Sequence, residues 1–316
     1  MISRRMLRIK VIKALYAHLK SDADSLMASE NTLVASIDKT YDLYFLMMSL
    51  IVELAHYAEQ RQELARKKQL PTYEDLNPNR KFVENAVVRL IASSDAVNDY
   101  LAARKLSWAK YPELIKTLYT QLEQSDYYKS YMARAERSWK EDLALVTDFY
   151  TRELEECEML EDVLDEISIL WNDDLGFALI MVTRTLSNMR ASHTDVKVLP
   201  KFKSEEDLDF AVQLFEKAAL GYDNNLLQIE KFTRNWDVER IAFMDNLIMA
   251  TAVAELTTFP SIPVKVTLDE YIEIAKFYST TGSSTFINGV LDKVVASLTE
   301  EGKINKSGRG LIELCY

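Results

Sequence analysis

Residues 238–256 limit most strongly what this chain can become. They read VERIAFMDNLIMATAVAEL, and Ile241, Phe243, Met244, Leu247, Ile248, Met249 and Val253 occupy nearly every side of a helix. A helix that is apolar all round is the central one of a bundle, so the fold has to wrap other helices about it. Asp245 and Glu255 are its exceptions, and each must reach a rim or find a partner. Asp237 is placed to cap the start of this helix. Pro260 and Pro263 force an extended connector after its end.

The remainder of the last quarter is punctuated as clearly. Thr267 and Glu270 have the spacing of a capping box, and the helix after them puts Tyr271, Ile274, Ala275 and Tyr278 on one face. Residues 279–284 form a loop around Gly282. A final helix follows from Thr285, with Phe286, Val290, Val294 and Leu298 expected inward. Asn288-Gly289 interrupts this helix. Glycine there costs about 1 kcal/mol against alanine, which implies either a close backbone or ligand approach or tight helix–helix packing.

The other segments also read as helices. Only seven glycines and six prolines occur in 316 residues, which argues against a turn-rich β fold. Helices are expected over 3–20, 32–70, 80–104, 112–123 and 125–136, then through 138–169 and 172–189. Pro71 ends the second of these, and 71–79 is a polar loop. Asn172 or Asp173 caps the helix at 172, residues 193–203 form a loop, and Ser204 opens a helix ending near Gly221. Three D-L-x-F tetrapeptides, at 42, 174 and 207, are too irregularly spaced to mark a repeat.

Charge divides the chain. Six basic residues and no acid fall within 1–20, so a chain of net charge −11 carries −17 over the rest. A basic arm on an acidic body suits polyanion binding. Arg4 and Arg8 share an arc with the apolar stripe Leu7, Val11, Leu15 and Leu19. Since a guanidinium cannot sit unpartnered in a core, the first turns are expected to extend past the body or fray, leaving both arginines to solvent or to a ligand. Glu153, Glu155, Glu156, Glu158, Glu161, Asp162, Asp165 and Glu166 face only Arg152. They read as a solvated helix face, since no calcium-type loop accompanies them.

Several classes are disfavoured. Cys157 and Cys315 form no C-x-x-C pair, which suits a reducing cytosol and neither a disulfide framework nor a structural zinc site. No apolar run reaches membrane-spanning length, and the N-terminus lacks a signal-peptide layout. His18, His56 and His193 are scattered, and none of the common catalytic or nucleotide-binding motifs occurs. No catalytic residue, metal site or cofactor is expected.

The ordered set IPVKV (262–266), the helix ending IAKFY (274–278) and FINGVLDK (286–293) resembles the C-terminal signature of the NusB family. RRMLRIKVIKALYA (4–17) is similar to that family's arginine-rich first helix. The resemblance implies an all-α fold of two small helical bundles and a cytoplasmic, non-enzymatic transcription antitermination factor. Such proteins bind the boxA element of nascent RNA, usually together with the ribosomal protein NusE. They join the RNA polymerase antitermination complex in ribosomal RNA transcription.

Carried over by position, the resemblance makes Arg4, Arg5, Arg8, Tyr16, Lys265, Tyr278, Phe286 and Asn288 candidate RNA-binding residues. It places Asp245 on the face toward the ribosomal-protein partner. The arginines would contact phosphates, the two tyrosines would stack on bases unless they serve core packing instead, and Asn288 would bond a base edge. Met6, Ala250 and Thr285 stand where the family commonly has basic residues. The chain is also more than twice the common family length. Its expected organisation is a basic N-terminal helix (1–20), an acidic helical insert (21–200), a NusB-like C-terminal bundle (201–301) and a tail (302–316). A helical protein-binding scaffold working through the acidic insert is the competing reading. NusB-like domains also occur fused to RNA methyltransferases, but this chain has neither the room nor the glycine pattern for a nucleotide-binding sheet.

Overall fold

A computed structural model describes residues 1–21, 25–233 and 242–311. Every regular element among them is helical, as the resemblance implies. In chain order the α-helices are α1 (Arg4–Lys20), α2 (Leu26–Arg66), α3 (Tyr73–Leu76), α4 (Ala86–Ala92), α5 (Asp95–Arg104), α6 (Pro112–Gln124), α7 (Asp126–Ala133) and α8 (Trp139–Arg152). Then come α9 (Glu158–Ile167), α10 (Leu175–Asn188), α11 (Glu206–Leu220), α12 (Tyr222–Thr233), α13 (Phe243–Thr258), α14 (Val264–Tyr278) and α15 (Ser283–Glu300). They form two compact units, one of Met1 with Asp38–Lys201 and one of Ile2–Ile37 with Phe202–Tyr316.

The first unit is built on the apolar middle of α2, where Leu43 to Met48 are all buried. Large side chains close around it and spend their polar atoms on its backbone. Trp108 donates to the Leu46 carbonyl at 2.9 Å, Tyr150 to Met47 at 2.7 Å, and Trp171 to Lys39 at 2.6 Å. Amphipathic aromatics can thus fill the core without leaving a donor unsatisfied. Asp42, buried among them, accepts both arms of the Arg104 guanidinium and the Tyr100 hydroxyl.

The second unit places α13 at its centre, with α1, α11, α12, α14 and α15 packed against it. Leu247 to Leu256 are buried without interruption, as expected of an all-apolar helix. The expected cap Asp237 lies outside the described residues.

Several boundaries differ from expectation. Helix α2 starts earlier and ends at Arg66, and the expected loop after Pro71 holds α3, closed by a Thr72–Asp75 capping box. Residues 80–104 make two helices because Ser94 turns its hydroxyl to the Val97 amide and starts α5. The acidic stretch breaks between Arg152 and Glu158 into α8 and α9. Neither Asn172 nor Asp173 caps α10. The N-cap position is Asp174, whose carboxylate accepts from Thr40 at 2.6 Å instead of from its own helix. At α11 the acid of the first turn reaches back, since Asp207 accepts from the Lys203 and Ser204 amides at 3.1 Å each. Helix α12 was not anticipated.

Candidate functional site

Helix α1 is positioned by its own sequence. Ser3 caps it through the Met6 amide at 3.2 Å, and Leu7, Val11 and Leu15 bury its stripe against α11 and α13. That packing carries the arginines into the second unit rather than past it, which corrects the expectation of free arginines. Arg8 is 2% exposed. Its guanidinium makes a two-pronged bond to Glu255 on α13, Nε to Oε2 at 2.7 Å and Nη2 to Oε1 at 2.6 Å. Arg4 pairs with Asp207 at 3.0 Å. Arg5 forks onto Glu270 of α14 at 2.8 and 2.9 Å.

Glu255 is the hub of this network. Besides Arg8 it accepts from the Thr267 hydroxyl at 2.9 Å and the Tyr271 hydroxyl at 3.0 Å, so a carboxylate inside an apolar helix is fully satisfied. Burial alone would lower the Arg8 pKa, but the Glu255 hydrogen bonds and charge outweigh it and raise it. Burial, reinforced by the Glu255 charge, raises Tyr271 well above its ordinary value. The proposed capping box is therefore not one. Helix α14 starts a turn earlier behind Pro263, Thr267 lies buried inside it, and Glu270 serves Arg5.

Arg4, Arg5 and Arg8 form one wall of an open groove of about 670 Å³. Ser261, Ile262, Pro263 and Val266 of the connector and α14 face them, and Ser3, Glu270 and Arg309 complete the lining. Arg4 and Arg8 also lie over the Phe210 ring, at 4.9 and 5.3 Å from its centroid. Four arginines thus meet one lining carboxylate, although the three from α1 each hold a carboxylate partner.

The other candidates are spread over α1, α14 and α15. Tyr16 is 42% exposed and meets Phe243 edge-on at 5.5 Å, and Lys20 sits 4.1 Å above the same ring. Tyr278 is half-buried, with the Lys13 ammonium 5.6 Å from its ring. Lys265 and Asn288 are exposed, and Phe286 is half-buried. The inward residues of α15 are Ile287, Val290, Leu291, Val294 and Leu298, so Phe286 is not part of that stripe. Gly289 is exposed, and a Cβ added to it would meet nothing within 4 Å. Helix–helix packing is not its reason. Asp245 is buried and accepts from Ser279 and from Ser283, the latter at 3.0 Å, which ties the 279–283 loop to α13. Sequence reasoning missed Phe277, 80% exposed beside Tyr278, and Arg309. The first was hidden by its apolar type within a patterned helix, the second by its place in a tail.

No group of three or more metal-ligating side chains occurs among the described residues, and no helix there is long and apolar enough to cross a membrane.

The fold and groove define an all-helical protein with an arginine-lined face against a central apolar helix. Residues 181–296 match the model of the NusB family. The chain is 42% identical to the transcription antitermination protein NusB of Salinibacter ruber over 123 residues, which cover 39% of this chain and 76% of that relative. It is 38% identical to NusB of Chloroherpeton thalassium over 34% of the chain and half of the relative, and 48% identical to NusB of Pseudothermotoga lettingae over 22% and 49%. No solved structure matches it. The chain belongs to the NusB family and is longer than these relatives. The matched span contains Asp245, Lys265, Tyr278, Phe286 and Asn288, whereas α1 precedes it.

Proposed function

We propose that this protein binds single-stranded, boxA-like RNA through the α1–α14 face and acts as an antitermination factor, together with NusE, in the RNA polymerase complex that transcribes ribosomal RNA. The observation that carries this reading is the groove in which Arg4 and Arg5 remain partly exposed, 38% and 49%. The names of its relatives supply the process. In this reading Arg4 and Arg5 contact phosphates: the exposed Arg5–Glu270 pair exchanges its carboxylate for a phosphate at little cost, and the buried Asp207 keeps the Lys203 and Ser204 amides as donors when Arg4 turns to a phosphate. Arg8 lines the groove but acts by fixing α1. Tyr16, Tyr278 and Phe286 offer ring faces to unstacked bases, and Asn288 reaches a base edge beside Gly289, where the bare backbone admits close approach. Asp245 shapes the NusE-facing side by holding the 279–283 loop. The acidic helical region between α1 and the family-matched span, which begins at residue 181, takes no part in RNA contact. The protein works in the cytoplasm and needs no cofactor.

The test is a fluorescence-anisotropy titration with a labelled boxA-like RNA, with NusE present and absent. Wild-type protein binds, more tightly with NusE. The Arg4→Ala/Arg5→Ala variant loses at least tenfold in affinity while its circular dichroism is unchanged. Equal binding by wild type and the double variant would remove the groove from the account.

A further inference from the structure

We infer that the C-terminal tail supplies a further RNA-contacting residue, Arg309, which completes the phosphate-binding wall of the α1 groove; this rests on the RNA-binding reading above. The tail lies beyond the family-matched span, which ends at residue 296, yet it is seated specifically. After α15 the Lys303 amide bonds the Leu298 carbonyl at 2.8 Å, and Gly302 turns the chain at φ +67°. The chain then runs to the Phe259–Pro263 connector. There the Lys306 ammonium donates to the Phe259 carbonyl and the Ser307 amide to the Pro260 carbonyl, each at 3.0 Å.

Gly310 closes the seat. A Cβ on it would stand 1.9 Å from the Pro260 carbonyl oxygen, so only glycine permits this approach. The turn through Gly308, at φ +55°, then carries Arg309 out, exposed, into the groove lined by Arg4, Arg5 and Arg8. Two glycines and two carbonyl contacts thus place one side chain.

Charge explains why that side chain matters. Arg4, Arg5 and Arg8 are matched by Asp207, Glu270 and Glu255. No ion pair with a carboxylate is formed by Arg309 among the described residues. It therefore offers a fork of donors that a phosphate can take without displacing a protein carboxylate. A groove whose other arginines are internally neutralised attracts a polyanion most strongly where its charge is uncompensated.

The experiment uses full-length protein and the same boxA-like RNA. Arg309→Ala is expected to weaken binding about three- to tenfold and to make the dependence of log affinity on log salt shallower by about 0.7, one phosphate contact on a single strand. Because Arg309 is exposed, the thermal midpoint stays at the wild-type value. Gly310→Ala, which unseats the tail without removing charge, is expected to lose affinity similarly. Lys303→Ala, in the same tail but outside the groove and paired with Glu301, is expected to bind like wild type. Wild-type affinity in Arg309→Ala, or an equal loss in Lys303→Ala, would overturn the tail inference and leave the RNA reading standing. No RNA binding by the wild-type protein would overturn both.

Discussion

Two arginines four residues apart on α1 have opposite physical roles. Arg4 sits 38% exposed with a single carboxylate contact, whereas Arg8 is enclosed with a two-pronged pair. Removing one partner of a buried pair strands the other charge, so Arg8→Ala is predicted to cost about 3–5 kcal/mol in urea unfolding. Arg4→Ala should cost less, because Asp207, although buried, keeps the Lys203 and Ser204 amides as donors. Arg8→Lys keeps the charge but loses the fork, and its stability should fall between the two. Equal stabilities for Arg4→Ala and Arg8→Ala would show that the Arg8–Glu255 pair does not hold α1. Thr267→Val tests the other side of Glu255. It removes the donor at 2.9 Å and is expected to cost about 1–3 kcal/mol, since a buried acceptor loses one of its four bonds. The sequence announced that Glu255 needed a rim or a partner, but left Arg8 to solvent or a ligand. It could not pair them, because they lie 247 residues apart.

At the scale of the helix, Gly289 makes a signed prediction. It is exposed in the interior of α15 with open space at its Cβ and no positive φ. Gly289→Ala should therefore stabilise the protein by about 0.5–1 kcal/mol, visible as a raised thermal midpoint. If bare backbone is kept there for RNA, the same variant should bind boxA-like RNA more weakly. A lower thermal midpoint would contradict the open-space argument. Elements of this kind were largely legible in the sequence: α13 from its unbroken apolar surface, and α6 within a residue of its expected range. Those that escaped did so for local reasons. Gly221 reads as a stop, yet α12 begins at the next residue with no polar loop to announce it. Thr267 and Glu270 have capping-box spacing, but the helix had already started behind Pro263 and turned both side chains to partners on other helices. Patterns report what a segment can do alone, and tertiary partners decide which capacity is used.

On the scale of the molecule, the charge asymmetry survives in altered form. The N-terminal basic residues do not make a free arm. They are drawn into the second unit, three arginines find carboxylates, and what faces solvent is a groove with two half-exposed arginines and Arg309. The family likeness was legible from the last three helices, where the family-matched span lies. The groove was not, because its walls come from opposite ends of the chain. The central claim, that this groove binds RNA through phosphate contacts, is tested most directly by the salt dependence of boxA-like RNA affinity in wild type and in Arg4→Ala/Arg5→Ala. Each phosphate contact on a single strand contributes about 0.7 to the slope of log affinity against log salt, so losing two should make the slope shallower by about 1.4. A slope unchanged by the double substitution would contradict the account.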